Sequence, residues 1–77
     1  MVLDLRGKRA DEAEWALDTY LNAATLANLG EVRIIHGIGT GAVRKIVREL
    51  LASHPLVKSF RPGIRGEGGD GTTVVGL

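Results

Sequence analysis

The sequence predicts an α/β chain folded as an α+β two-layer sandwich. Its order is βαβαββ, with a four-stranded mixed sheet and both helices on one face. Three observations predict it. Two apolar stripes of helical period run through residues 10–24 and 43–51. Four short apolar runs flank and follow them. Glycine, asparagine and proline punctuate the joints between these segments.

Each element has its own reason. Val2 to Leu5 reads as a strand, with Leu3 and Leu5 facing one way and Asp4 the other. Gly7 lets the chain turn out of it. A helix starts at Asp11 or a neighbour and runs to about Ala27, with Ala10, Ala13, Leu17, Tyr20, Leu21 and Ala24 as its apolar stripe. Trp15 falls almost opposite that stripe and is expected to be exposed. Asn28 is suited to a left-handed cap. Val32 to His36 is a second strand, too apolar on both faces to be an edge. The second helix begins near Thr40 or Gly41, carries Val43, Ile46, Val47, Leu50 and Leu51 on one face, and stops at Pro55. Val57 to Arg61 is the third strand and Thr72 to Leu77 the fourth. Helical crossovers make the first three strands parallel, and the last, reached by a loop, antiparallel.

Seventy-seven residues make one small domain. The absence of cysteine rules out a disulfide framework and a thiolate metal site. The start "MVLDLRGK" has no basic opening and no long apolar core, so it is no signal peptide. No apolar run is long enough to span a membrane. The expectation is a soluble, cytoplasmic domain, and the abrupt opening in a strand suggests a fragment of a larger protein. The net charge is only +1, but it is unevenly spread. Residues 1–31 carry three basic and six acidic side chains, and residues 32–77 carry seven basic and three acidic. A local positive face in the second half is therefore expected.

Loops that follow parallel strands share one edge of a sheet, where ligands bind. That edge should collect Asp4–Gly7, His36–Thr40 and the loop Pro62–Gly71, in which five of ten residues are glycine. Gly37, Gly39 and Gly41 place bare backbone at a helix start, a concavity suited to phosphate. Thr40 can cap the helix or touch an anion. Arg44, Lys45 and Arg48 lie together on the polar face of that helix and could follow a phosphate backbone, with Arg61 and Arg65 as further cations. The run "GIGTGA" matches a dinucleotide fingerprint, but no acid lies about 20 residues further on. It is not a Walker loop, because no G-K-[ST] follows.

His36 could act as a general acid or base, or simply pack at a strand end. Asp4 could orient it, hold a metal or pair with Arg6 or Arg33. Arg6 could contact phosphate or stay solvated. His54 reads as a helix-end residue. Glu67 and Asp70 are either turn formers or metal contacts.

Together, "LDLRG" at Leu3–Gly7 and "HGIGTG" at His36–Gly41 resemble the two motifs of the Smr (small MutS-related) domain. The tail "GEGGDGTTVVGL" is similar to the form of that domain at the C-terminus of a bacterial MutS paralogue. The resemblance covers essentially the whole chain. It implies a fold similar to the C-terminal domain of translation initiation factor three. It also implies a nucleic-acid endonuclease that nicks DNA, including branched recombination intermediates, or a module that binds DNA or ribosomal RNA in ribosome rescue. The parent protein would also carry an ATPase domain, which is absent from this chain. The motif positions implied for the chemistry are Asp4, Arg6 and His36, with Gly37, Gly39, Thr40 and Gly41 on the nucleic acid. Many such domains have histidine where this chain has Arg6, so a mechanism with two motif histidines is not available here. No resident cofactor is implied, and a divalent ion, Mg²⁺ or Mn²⁺, is left open.

Overall fold

The structure, a computed structural model, describes residues 1–77. Its elements are β1 (Val2–Asp4), α1 (Ala10–Leu26), β2 (Glu31–Ile35), α2 (Ala42–Ser53), β3 (Ser59–Pro62) and β4 (Thr72–Gly76), with one 3₁₀ turn, Gly69–Gly71, before β4. The sheet order is β1-β2-β4-β3. β1 runs parallel to β2, with Asp4 beside Ile35. β4 is antiparallel to both β2 and β3, so β1, β2 and β3 point the same way, as expected. β4 lies between β2 and β3, so β3 joins the sheet only through β4.

Helix α1 begins where the Glu12 carboxylate accepts the Arg9 N–H at 3.0 Å, with Asp11 and Glu12 favourably placed at the positive end of the helix dipole. It ends as Asn28 predicts. Asn28 takes a left-handed φ of 59°, and Leu29 N–H reaches back to the Ala24 carbonyl at 3.0 Å. Ala10, expected in the apolar stripe, is exposed because it is the first helical residue and lies before the packed turns. Trp15 is 73% exposed, as its place on the wheel predicts.

The core joins Leu5, Ala13, Leu17, Leu21, Ala24, Val32, Ile34, Val47, Leu51 and Val75. Fully burying each large aliphatic side chain contributes about 1.5–3 kcal/mol. Helices α1 and α2 touch each other and cover one face of the sheet. Val32, Ile34 and Val75 point to that face, while Arg33 and Ile35 are only half-buried on the other. Neither helix is long and apolar enough to cross a membrane.

The third strand starts two residues later than its apolar run predicts. Val57 N–H bonds the His54 carbonyl at 3.2 Å, so the turn at Pro55 continues through Val57. Pairing begins when Lys58 N–H reaches the Gly76 carbonyl at 2.8 Å. Pro62 is tolerated because β3 is an edge strand.

Candidate functional site

The ends of β1 and β2 and the loop before β4 meet at one edge of the sheet. The Gly71 carbonyl joins two of them, accepting N–H bonds from both His36 and Gly37 at 3.0 Å. The approach is close, and a Cβ on Gly71 would stand 3.5 Å from the Gly37 Cα. The loop is folded on itself. The Glu67 carboxylate takes two bonds from the Arg61 guanidinium, at 2.7 and 3.0 Å, and a third from Ile64 N–H. The Arg61 hydrogen bonds hold the Glu67 carboxyl down at about 2, with the Ile64 N–H adding to the effect. Glu67 is thus committed to closing the loop. Asp70 is exposed, and Arg65 sits on the exposed tip and lines none of the hollows around the glycines.

The glycine loop is built from backbone that side chains would strain. Gly37, Gly39 and Gly41 have φ of 76°, 36° and 81°. Gly41 is the residue before α2, and its carbonyl takes the Lys45 N–H at 2.9 Å. Thr40 caps only weakly, its hydroxyl lying 3.4 Å from Ala42 N–H. The N–H groups of Ile38, Gly39, Thr40, Val43 and Arg44 find no acceptor within the protein. A run of open donors at a helix N-terminus attracts an anion.

Charged side chains surround these donors. Arg6 and Asp4 form a forked pair, with Nε to Oδ1 at 3.0 Å and Nη2 to Oδ2 at 2.7 Å, and Arg6 N–H also bonds Oδ1. Arg6 lowers the Asp4 carboxyl to about 2, through its side-chain bonds first and its backbone bond second. Nη1 of Arg6 keeps its hydrogens free. Arg6, Gly37, Gly39, Thr40 and Arg44 line one hollow. Thr40, Gly41, Arg44, Lys45 and Arg48 line the next, down the side of α2. None of Arg44, Lys45 and Arg48 is in a salt bridge.

His36 is the buried member of the site. It is 5% exposed and both ring nitrogens are engaged. Nδ1 lies 2.8 Å from the Gly37 carbonyl, and Nε2 lies 2.8 Å from the Thr73 hydroxyl. Burial lowers its pKa, and the nearby Arg48 and Arg44 charges lower it further against the opposing pull of the Gly37 carbonyl. His36 lines the floor of the hollow beside Gly37, in surroundings that favour the neutral ring at neutral pH, with both nitrogens bonded within the protein. Thr73 was not among the residues singled out from the sequence. The signal for it was faint: alternation along β4 puts Thr73 on the core face with Val75, and an inward hydroxyl needs a partner.

His54 behaves as a helix-end residue, with Nε2 bonded to Asp18 at 2.8 Å and Nδ1 accepting Leu56 N–H at 3.2 Å. No three carboxylate or histidine side chains gather anywhere to hold an ion. Two carboxylates border the glycine loop: Asp4, whose oxygens are both taken by Arg6, and Glu49, which lines the hollow on the α2 side.

The model of the Smr domain matches residues 3–77. The chain is 56% identical to Endonuclease MutS2 of Clostridium beijerinckii over 75 residues, which is 97% of this chain and 10% of that protein. It therefore spans about a tenth of the length of such relatives. The crystal structure of the Smr domain of Thermus thermophilus MutS2 superposes with a TM-score of 0.95 at 43% identity, covering 99% of this chain and 95% of that one. YdaL, a stand-alone small MutS-related protein from Escherichia coli, superposes at 0.94 with 26% identity, over 99% of this chain and 63% of that one. Both sequence motifs, the whole of the fold and the relatives agree, and the chain belongs to the Smr domain family.

Proposed function

We propose that the chain is a nucleic-acid endonuclease domain of a larger bacterial cytoplasmic protein, nicking the phosphodiester backbone of duplex or branched DNA. The observation that carries the reading is the set of open N–H donors from Ile38 to Arg44, bordered by Arg6 on one side and Arg44, Lys45 and Arg48 on the other. A phosphate over Gly37–Gly41 would be held by backbone and Thr40, while the three cations of α2 follow the strand onward. Arg6 is the group we assign to the chemistry. Asp4 grips one edge of its guanidinium, so the free Nη1 edge is aimed at the phosphate, where it steadies the charge that develops as the bond breaks. Asp4 is held near 2 and is therefore a poor base at neutral pH, so its work is to fix Arg6. His36 sets the loop rather than moving a proton.

A second reading has its own support. No side chain in the site is a free proton acceptor, since Asp4 and His36 are both committed. A module that grips DNA or ribosomal RNA while an ATPase domain elsewhere in the parent does the work needs no such group. Nicking of supercoiled plasmid by the purified domain separates the two. The endonuclease reading expects nicking by the wild type and a loss of about 10²–10³-fold in Arg6→Ala, with affinity much less affected. A wild-type domain that binds plasmid but leaves it intact would establish the binding module instead.

A further inference from the structure

The Gly37 carbonyl and the Ile38 N–H belong to one peptide unit. That unit is planar and trans, so the two groups point in opposite directions. In this chain the carbonyl points inward, 2.8 Å from Nδ1 of His36. The Ile38 N–H is therefore aimed outward, and it is the first of the open donors in the loop. What holds the carbonyl inward decides where that donor points. The backbone gives little help, because Gly37 at φ 76° has no Cβ to resist a flip of the peptide.

A carbonyl can only accept, so Nδ1 of His36 carries the hydrogen. In the neutral ring Nε2 then has a lone pair, and the Thr73 hydroxyl donates to it across 2.8 Å. Thr73 is fully buried, opposite Ile34 on one side and Pro62 on the other, so its hydroxyl is fixed by the sheet. We propose that Thr73 is a positioning residue: its hydroxyl orients the His36 ring, the ring holds the Gly37 carbonyl inward, and the Ile38 N–H is thereby aimed at phosphate. This rests on the phosphate-binding reading of the loop and adds the side chain in the last strand on which that reading depends. Gly37 N–H, bonded to Gly71 at 3.0 Å, pins the other end of the residue from the same strand connection. The cradle is thus set from β4, more than thirty residues away in sequence from the motif that displays it.

The test compares wild type, Thr73→Val and Thr73→Ser. Valine keeps the shape and loses the hydroxyl, and serine restores the hydroxyl. Three quantities are read: affinity for a short duplex oligonucleotide, the movement of the Ile38 amide signal when that duplex is added, and global melting temperature. Thr73→Val should bind about five- to tenfold more weakly and lose the Ile38 response, while Thr73→Ser stays within about twofold of wild type. A merely structural threonine would lower the melting temperature and leave the affinity of the folded protein alone, and that result overturns the proposal. The imidazole ¹⁵N spectrum of the wild type provides a measurement that needs no variant. It should show hydrogen on Nδ1 and a bare Nε2, and the reverse also overturns the proposal. If the wild-type Ile38 amide does not respond to bound duplex, the phosphate cradle itself is wrong, and this shows before any variant is compared.

Discussion

The aliphatic stem of Arg6 lies along the backbone of Gly37, with Cγ only 3.4 Å from the point where a Cβ on that glycine would stand. The first motif is thus laid directly on the second. Three glycines share a positive φ in this loop, but only Gly37 has another chain segment pressed against its Cα, and only Gly39 has nothing within 4 Å. That difference turns the glycines into separate experiments.

At Gly39 an added methyl meets no neighbour, so Gly39→Ala acts through backbone conformation alone. The left-handed φ should cost about 1 kcal/mol of stability. If the loop backbone holds phosphate, nucleic-acid affinity should fall roughly tenfold as the donors swing away, about the worth of one bond to a charged group. Melting temperature and affinity measured on one sample decide it. Normal affinity in a destabilised mutant would leave the glycines a role in folding only. Gly37→Ala should cost at least as much on both counts, because its φ of 76° is also left-handed and its methyl would sit against the Arg6 stem at 3.4 Å.

The basic side of α2 makes a prediction about salt. Arg44, Lys45 and Arg48 are unpaired and line one hollow beside the glycine loop. Each cation that neutralises a phosphate contributes about 0.9 to the slope of log K against log[salt] for duplex DNA. Removing all three should flatten the slope by up to about 2.7, and affinity should converge with wild type at high salt. A slope untouched by the triple substitution would place the backbone elsewhere, with Arg65 on the loop tip the next cation to test.

Stability should depend on pH through His36. Its folded pKa lies below the ordinary value of 6.5, because burial and the Arg48 and Arg44 charges disfavour the cation. Below 6.5 the unfolded chain takes up a proton that the folded chain refuses, so acid favours unfolding. The contribution is complete above 6.5 and is lost as pH falls from there toward the folded value. Melting temperature should therefore drop on moving from pH 7 to pH 5, and the drop should be smaller in His36→Gln. The slope is the readout, since the variant also loses the Thr73 bond. Equal slopes in the two proteins would mean that the ring is not buried neutral.

The element order, the central place of β2, the Asn28 cap and the exposure of Trp15 were all legible in the sequence, because each follows from local periodicity or a local φ requirement. So was the meeting of the three glycine-bearing segments, which follows from parallel strands and short connections. The state of His36 was not legible. Its two partners are a carbonyl next door and a hydroxyl thirty-seven residues on, and no local pattern announces a hydrogen bond across a sheet. The place of β4 between β2 and β3 was equally hidden, since it is set by which strand edges are left to pair after the helices have packed. Glu67 read as a turn former or a metal contact in a glycine-rich loop, and its commitment to Arg61 depends on how that loop folds back.

Trp15 gives a final test of where the nucleic acid lies. It is the only tryptophan, and it stands on the outer side of α1, a helix with four acidic residues and no basic one. At 73% exposure its emission should resemble that of an indole in water and be readily quenched by neutral acrylamide. Charged quenchers should differ. The surrounding carboxylates attract Cs⁺ and repel iodide, so at low salt Cs⁺ should quench more per mole than its own efficiency on free indole predicts, and iodide less. Added salt should bring both back toward the free-indole ratio, because the Debye length falls to about 3 Å at 1 M. No residue of α1 lines the hollows around the glycine loop. Saturating duplex DNA should therefore leave both the emission maximum and the acrylamide quenching of Trp15 unchanged. Protection of Trp15 by DNA would move the interface to the acidic side of the domain and remove the case for the α2 cations, whereas poor quenching in the free domain would mean that the outer face of α1 has been misplaced.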